Sequence, residues 1–337
     1  MIVDVFNRPL KDLRISVTDR CNFRCTYCMP FDEYPWTPTD ECLSFDEIER
    51  IARIFVGLGV EKIRLTGGEP LLRAHVEDLV GRLSAIPGLE AVCLTTNGSL
   101  LADRAASLKA NGLSRINVSL DTLDPEKFQR IRRRGDVAKV LDGIWAAKAA
   151  GIYPVKLNTV VERGMNDEDI IPLVDFARKN GFAIRFIEFM DVGNANGWRR
   201  DKVVPKREII EIINAQWPLE EVGRDKGTAP AVDYRFSDGT GDVGVIASVS
   251  EPFCSSCTRA RLTADGKLVT CLFSSQGQDV KGLLRGGATD EEIVEAVSGN
   301  WRGRTDRYSQ ERLLALNSNL GYEPKDHRKI EMISLGG

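Results

Sequence analysis

The chain has 337 residues, 42% hydrophobic and 28% charged, with eight cysteines, two histidines and a net charge of −3. That length exceeds one ordinary hydrophobic core, so a large domain with a smaller one, or a full barrel, is expected. The slightly acidic balance argues against a broad nucleic-acid surface, no run of about 18 apolar residues is there to span a membrane, and the isolated His75 and His327 do not make a His-rich metal site.

Residues 1–8 lack the long apolar segment of a signal peptide. Together with the eight cysteines this points to a reducing cytosol and to metal ligation rather than disulfides. Residues 13–18 alternate apolar and polar side chains and predict a strand. It leads into Cys21-Asn22-Phe23-Arg24-Cys25-Thr26-Tyr27-Cys28, three thiols that can converge on one metal centre. A structural zinc site takes a fourth protein ligand, and none is near. A cubane [4Fe–4S] cluster, which otherwise takes four cysteines, can be held by three with one iron left open for a small molecule. Zinc, or three unrelated buried thiols, is the plainer alternative. Ser44-Phe45-Asp46-Glu47 is a capping box, and the helix it starts runs through Ile48, Ile51, Ala52 and Phe55 to end before Gly59.

A weak repeat follows. Residues 59–66, 112–119, 151–158 and 181–188 each begin with a glycine that can close a helix and continue as a short strand; residues 91–95 make one more, after Gly88. Helices of about 10 to 15 residues, such as 137–150 and 167–180, separate many of them. Alternating strands and helices give a parallel sheet with right-handed crossovers. Six strands up to Glu188 predict an α/β fold, an open, partial (β/α)6 barrel of the TIM type. Residues 1–220 form the expected barrel and residues 221–337 a smaller C-terminal region.

These strands are not the continuous apolar runs usual in a doubly covered sheet. Arg14, Arg64, Asn117, Lys156 and Arg185 each sit between two aliphatic or aromatic residues. With side chains alternating, the apolar set can face the helices and the polar set a lumen, where Thr95 and Ser119 join it. Cations at strand ends reaching solvent are the alternative. Buried cations need counter-charge, so a wet lumen for a polyanion such as a triphosphate is the better account, and arginine forks suit phosphate oxygens. Thr66-Gly67-Gly68-Glu69-Pro70 follows the second strand; paired glycines let backbone approach a ligand, and Glu69 is a candidate acceptor for a ligand ammonium. Alone the run would read as a tight turn.

Further on, residues 206–214 predict a helix, 223–230 a charged, glycine-rich boundary loop, and 232–236 and 243–247 two β segments. Cys254-Ser255-Ser256-Cys257 and Cys271 again supply three thiols, with a hairpin at Asp265-Gly266 between them. A second open-iron cluster fits them, with zinc completed by a distant ligand as the alternative. Arg259 and Arg261 lie between these ligands on one strand face. Cys42 and Cys93 read as packing residues, Thr289 caps a last helix, and the terminal Gly336 and Gly337 read as a frayed tail.

The Cys-x3-Cys-x2-Cys run with Gly-Gly-Glu-Pro one strand later is the pattern of the radical S-adenosylmethionine (SAM) enzymes. Residues 18–25, 66–70, 185–190, 254–261 and the terminal Gly-Gly together resemble the GTP 3′,8-cyclases of molybdenum cofactor biosynthesis, over essentially the whole chain. The resemblance implies that Cys21, Cys25 and Cys28 hold a cluster whose open iron chelates SAM, with Tyr27, Gly68, Ser119 and Met190 as SAM contacts. It implies that Cys254, Cys257 and Cys271 hold a second cluster that meets the guanine of GTP. Arg14, Arg64, Thr95, Lys156, Arg259, Ala260 and Arg261 match GTP contacts, with Arg185 a further one, and Gly336 and Gly337 would reach into the active site. A 5′-deoxyadenosyl radical would take the 3′ hydrogen of GTP, the C3′ radical would add to C8, and one reduction with protonation would yield 3′,8-cyclo-7,8-dihydro-GTP. An electron donor and a downstream cyclic pyranopterin monophosphate synthase are the implied partners, with a cytoplasmic monomer or homodimer expected. Rival readings are a peptide-modifying radical SAM maturase and a non-catalytic metal or nucleic-acid sensor.

Overall fold

A computed structural model describes residues 1–318 and 322–336. Six parallel strands lie side by side in chain order: β1 (Asp12–Ser16), β2 (Lys62–Thr66), β3 (Ala91–Thr96), β4 (Arg115–Ser119), β5 (Val155–Val161) and β6 (Ala183–Glu188). Between and after them come α1 (Phe45–Gly57), α2 (Val76–Ser84), α3 (Ala105–Ala110), α4 (Pro125–Arg132), α5 (Val137–Ala149), α6 (Ile170–Asn180) and α7 (Lys206–Asn214). α1 starts as its sequence predicts: Glu47 N–H donates to Ser44 Oγ at 3.1 Å, and Ser44 N–H donates to the Glu47 carboxylate at 2.7 Å. Past its end the chain turns through Gly59 at φ +110°, a conformation that a side chain would strain.

The C-terminal stretch adds β7 (Leu219–Gly223), β8 (Val232–Phe236), β9 (Asp242–Ile246), β10 (Arg259–Leu262), β11 (Lys267–Val269) and β12 (Gln278–Asp279). These strands extend the same sheet at both edges. β9 pairs in parallel with β6, and β10 in parallel with β1. Eight strands, β10, β1 to β6 and β9, therefore run the same way, and the order β12-β11-β10-β1-β2-β3-β4-β5-β6-β9-β8-β7 leaves the sheet open. The last helices are α8 (Val280–Arg285), α9 (Asp290–Arg302), α10 (Tyr308–Asn317) and α11 (Met332–Leu335).

Two differences from the sequence-based expectation have physical causes. The helix capped by Thr289 is α9, and it is not the last. α10 hides from a periodicity search because it buries Ser309 and Arg312 and leaves Leu314 71% exposed. β7 has a mostly exposed pattern with no alternation to detect. The aliphatic halves of the strands, including Leu13, Ile15, Ile63, Leu65, Ile116 and Leu157, are fully buried in one continuous core beneath the helices. Cys42 and Cys93 are buried free thiols, as packing residues should be. No helix among the described residues is long and apolar enough to cross a membrane.

Candidate active site

Since the aliphatics of β1 to β6 face the helices, their neighbours face the other way. Arg14, Arg64, Thr95, Asn117, Lys156 and Arg185, with Ser119, line a cavity of about 400 Å³. Its cations are crowded. Burial holds the Arg14 guanidinium well below its ordinary range, and Arg261, Arg259 and Arg64 push the same way. Burial and then Arg185 bring Lys156 down to about 8. Burial lowers Arg185 despite the nearby carboxylate of Asp233, 3.6 Å away. Arg64 is steadied by Nη1–H bonds to Leu94 O at 3.1 Å and Thr95 Oγ1 at 3.4 Å. Cations that mutually depress one another in a half-dry space await an anion.

Cys21, Cys25 and Cys28 line one part of this cavity, on the loop that follows β1. The loop docks on the C-terminal end of α4, whose last carbonyls lack helical partners. Arg24 N–H donates to Arg132 O and Thr26 N–H to Ile131 O, each at 3.0 Å, and Phe23 meets Phe128 edge-on at 5.7 Å. Burial, then the charge of Cys25, pushes the Cys21 thiol up to about 12. The Gly-Gly run crosses the other side of the loop. A Cβ on Gly68 would overlap the Arg20 and Asp19 carbonyls, so these glycines serve backbone packing as well as the cavity that they line.

Glu69 departs from its expected role as an acceptor for a ligand ammonium. It is fully buried, its Oε1 accepts from Thr96 Oγ1 at 2.7 Å and Leu71 N–H at 3.0 Å, and its Oε2 accepts from Asn97 N–H at 2.6 Å. Those bonds tie the loop after β2 to the end of β3, and the carboxylate does not line the cavity.

Cys254, Cys257 and Cys271 line the same cavity. Arg8 Nη1–H donates to Cys254 O at 2.9 Å and Asp306 O at 2.8 Å, and Arg304 Nη1–H donates to Cys257 O at 2.9 Å. Burial would raise the Cys257 thiol, but Arg259 and Arg304 outweigh it and bring it down to about 6. Of the Arg259-Ala260-Arg261 run, the two arginines line the cavity. Ala260 does not: strand alternation turns its methyl into the apolar core, opposite Leu13. Arg261, lowered to about 10 by burial and then Arg259, already holds the tail. Its Nη1–H donates to Gly336 O at 2.8 Å and Leu335 O at 3.2 Å. Gly336 lines the cavity, packed so close to Thr66 that a Cβ there would overlap its hydroxyl. The tail is thus docked rather than frayed as far as Gly336; Gly337 lies outside the described residues.

Tyr27, Ser119 and Met190 also line the cavity, and the Tyr27 hydroxyl donates to Asp121 Oδ2 at 2.9 Å. Other lining residues escaped the sequence reading. Lys62 and Asp12, an ion pair, share the phase of Arg64 and Arg14 and could have been found by counting back two. Arg132 sits in an Arg-rich run that reads as a solvated face. Asp225 and residues 228–230 belong to the expected boundary loop, which here closes part of the wall.

Two sets of three free thiols line one cavity, a donor chemistry that suits iron–sulfur clusters. Among the described residues no three His, Cys, Asp or Glu side chains, the two cysteine sets included, are gathered closely enough to hold a metal ion as they stand. A (β/α) barrel with a three-thiol loop after its first strand and Gly-Gly-Glu-Pro after its second defines a radical SAM protein. The Radical SAM superfamily model matches residues 15–177, and the model Molybdenum Cofactor Synthesis C matches residues 182–310. The fold also resembles Streptococcus suis SuiB bound to S-adenosylmethionine, with a TM-score of 0.62 at 16% identity over 93% of this chain and 71% of that one. GTP 3′,8-cyclases are similar throughout: 47% identity to that of Acidothermus cellulolyticus over 100% of this chain and 99% of the relative. The Xanthomonas axonopodis pv. citri enzyme is 46% identical over 99% and 98%. The chain belongs to the GTP 3′,8-cyclase family.

Proposed function

We propose that this chain converts GTP to 3′,8-cyclo-7,8-dihydro-GTP, the first step of molybdenum cofactor biosynthesis. Cys21, Cys25 and Cys28 hold the [4Fe–4S] cluster that binds SAM, and Cys254, Cys257 and Cys271 hold a second one near the guanine. The observation that carries this reading is that both thiol sets and a crowd of cations that depress one another line one cavity. When bound and reduced, the first cluster with SAM supplies a 5′-deoxyadenosyl radical to take the 3′ hydrogen of the ribose, so that C3′ can bond to C8.

The protein's own part is placement. Arg14, Arg64, Lys156, Arg185, Arg259 and Arg261 hold the triphosphate by charge and by bidentate forks, with the Thr95 hydroxyl beside Arg64. Tyr27, Gly68, Ser119 and Met190 hold SAM. A displacement of about 1 Å between the ribose and the radical would cost on the order of a hundredfold in rate. Arg261 grips Gly336, so that end of the tail and the nucleotide share a cation; this supports a role for the tail in turnover. Residues 1–220 act as the barrel and 221–337 as the region carrying the second cluster. The enzyme works in the reducing cytosol that free thiols suit, as a monomer or homodimer. It draws on an electron donor and hands its product to a cyclic pyranopterin monophosphate synthase.

The test is anaerobic: reconstituted protein, reductant and SAM are incubated separately with GTP, ATP, CTP and UTP, reading 5′-deoxyadenosine and nucleotide loss. Deoxyadenosine that rises with GTP alone, beside a cyclised product, is expected. SAM cleavage indifferent to the nucleotide would overturn the substrate and direct attention to peptides.

A further inference from the structure

Arg132, the last residue of α4, takes no part in the binding described above, yet it is only 3% exposed and lines the cavity. Its Nη1–H donates to Cys25 Sγ at 3.1 Å. Its Nη2 lies 2.7 Å from Asp121 Oδ2, and its guanidinium carbon stands 5.5 Å from the centre of the Tyr27 ring. Its Nε has no hydrogen-bond partner among the described residues. Asp121 is fixed in turn: its Oδ2 accepts from the Tyr27 hydroxyl at 2.9 Å, its Oδ1 accepts from Val160 N–H at 3.0 Å, and its carbonyl accepts from Asn166 Nδ2 at 3.0 Å. The Arg132 Nη2 likewise makes no hydrogen bond among the described residues, so Asp121 meets the guanidinium as an ion pair, and the directed bond is the one to Cys25.

A buried guanidinium is expensive, and an apolar side chain usually packs as well. Asp121 offsets part of the charge but does not explain why one N–H is directed at a sulfur. A thiol sulfur is a weak acceptor; a metal-bound thiolate is a strong, charge-assisted one. Hydrogen bonds to the sulfurs and the local charge are what set an iron–sulfur cluster's potential. The contact has those features for Cys25, and no comparable side-chain donor reaches Cys28 among the described residues.

We propose that Arg132 tunes the first cluster, raising its reduction potential through its bond to the Cys25 sulfur and its positive charge, which the carboxylate of Asp121 offsets in part. The inference rests on Cys21, Cys25 and Cys28 holding that cluster. Reduction adds one negative charge to the cluster, and a cation fixed beside one ligand stabilises the reduced form more than the oxidised one. The donor of that electron is a one-electron reductant, and Arg132 decides how strong it must be.

The experiment is a potentiometric titration of the reconstituted full-length protein, followed by the electron paramagnetic resonance of each reduced cluster. R132Q is expected to make reduction of the first cluster about tenfold less favourable, about 59 mV more negative for one electron. R132K should fall between R132Q and the wild type. D121N should move the potential the opposite way, because it removes the negative neighbour and leaves Arg132. The second cluster is the internal reference and should not move in any variant. A wild-type potential in R132Q with iron retained overturns the proposal, as does a D121N shift in the same direction as R132Q, the mark of a loosened loop. Should R132Q fail to retain iron, D121N decides: a potential at or below the wild type overturns the proposal. A wild-type protein whose first loop yields no cluster signal would instead overturn the ligand assignment itself.

Discussion

Lys156 enters the cavity facing Arg185 and Arg115, and burial brings its ammonium down to about 8. As pH rises through that value the free protein loses a cavity cation, one of those proposed above to hold the triphosphate. GTP affinity should therefore fall between about pH 7 and pH 9, by roughly tenfold, the worth of one hydrogen bond to a charged group. Stability moves the other way: the unfolded lysine keeps its proton to about 10.4, so over that window the unfolded chain binds more protons and the fold gains. Titrating GTP binding by calorimetry across the range, in wild type and in Lys156→Met, separates the two; a wild-type profile as flat as the variant's would remove this proton from the site. Glu69 teaches a different lesson. Its motif was legible and its role was not, because a sequence shows a carboxylate next to a glycine pair but not the three donors, Leu71 N–H, Thr96 Oγ1 and Asn97 N–H, that fold around it. Glu69→Gln puts an amide N–H against one of those backbone donors. It should cost about 1–3 kcal/mol in urea unfolding, and unchanged stability would show that the bonds are dispensable.

The strands of the barrel were readable because period-two alternation survives in them: Arg14, Arg64, Lys156 and Arg185 all reach the lumen predicted for them. Elements whose character comes from distant partners were not. Arg132 sits in an arginine run and becomes a buried cation only when Asp121 meets it, and α10 buries Arg312 against residues far along the chain. Asp191 is the centre of that second arrangement. It follows Met190 directly, is fully buried, and accepts from the Tyr308 hydroxyl at 2.7 Å, from Lys329 Nζ at 3.0 Å, and from Arg312 and Tyr322. Burial would raise its carboxyl, but Arg312 and Lys329 outweigh that and hold it below the ordinary range. Its contribution is thus present at neutral pH and is lost as pH falls through the carboxylate range. Asn194 continues the clasp, donating to Lys329 O at 2.7 Å and accepting from Lys329 N–H at 2.9 Å. Asp191→Asn leaves two buried cations without their counter-charge, a loss of about 3–5 kcal/mol. It should appear as faster amide exchange in α10, α11 and residues 322–330 while β1 to β6 stay protected. Exchange that quickens evenly across the molecule would mean that Asp191 supports the whole fold and not this closure.

At the scale of the molecule, six strands were counted from sequence because each local unit carries its own helix stop and strand, whereas β9 and β10 join the sheet through contacts that no local pattern records. β10 covers the edge of β1, from Asp12 opposite Arg259 to Ile15 opposite Leu262, and β9 covers the edge of β6, from Ile184 opposite Val243 to Ile187 opposite Ile246. The second thiol set is therefore delivered to the cavity by chain that also completes the sheet, and the cavity and the fold's stability are not separable by a cut between regions. Residues 1–220 expressed alone would expose two unpaired edges, each carrying side chains that are buried in the whole chain, Leu13 and Ile15 on one and Ile184 and Phe186 on the other. Unprotected apolar edges template association. The fragment should accumulate as aggregates or lack a cooperative unfolding transition, while the full chain shows one. A soluble fragment that unfolds cooperatively near the full chain's midpoint would show that the six-strand barrel closes its own edges. Binding of SAM to such a fragment would then mean that the first cluster's site needs nothing from β9, β10 or the tail that Arg261 holds.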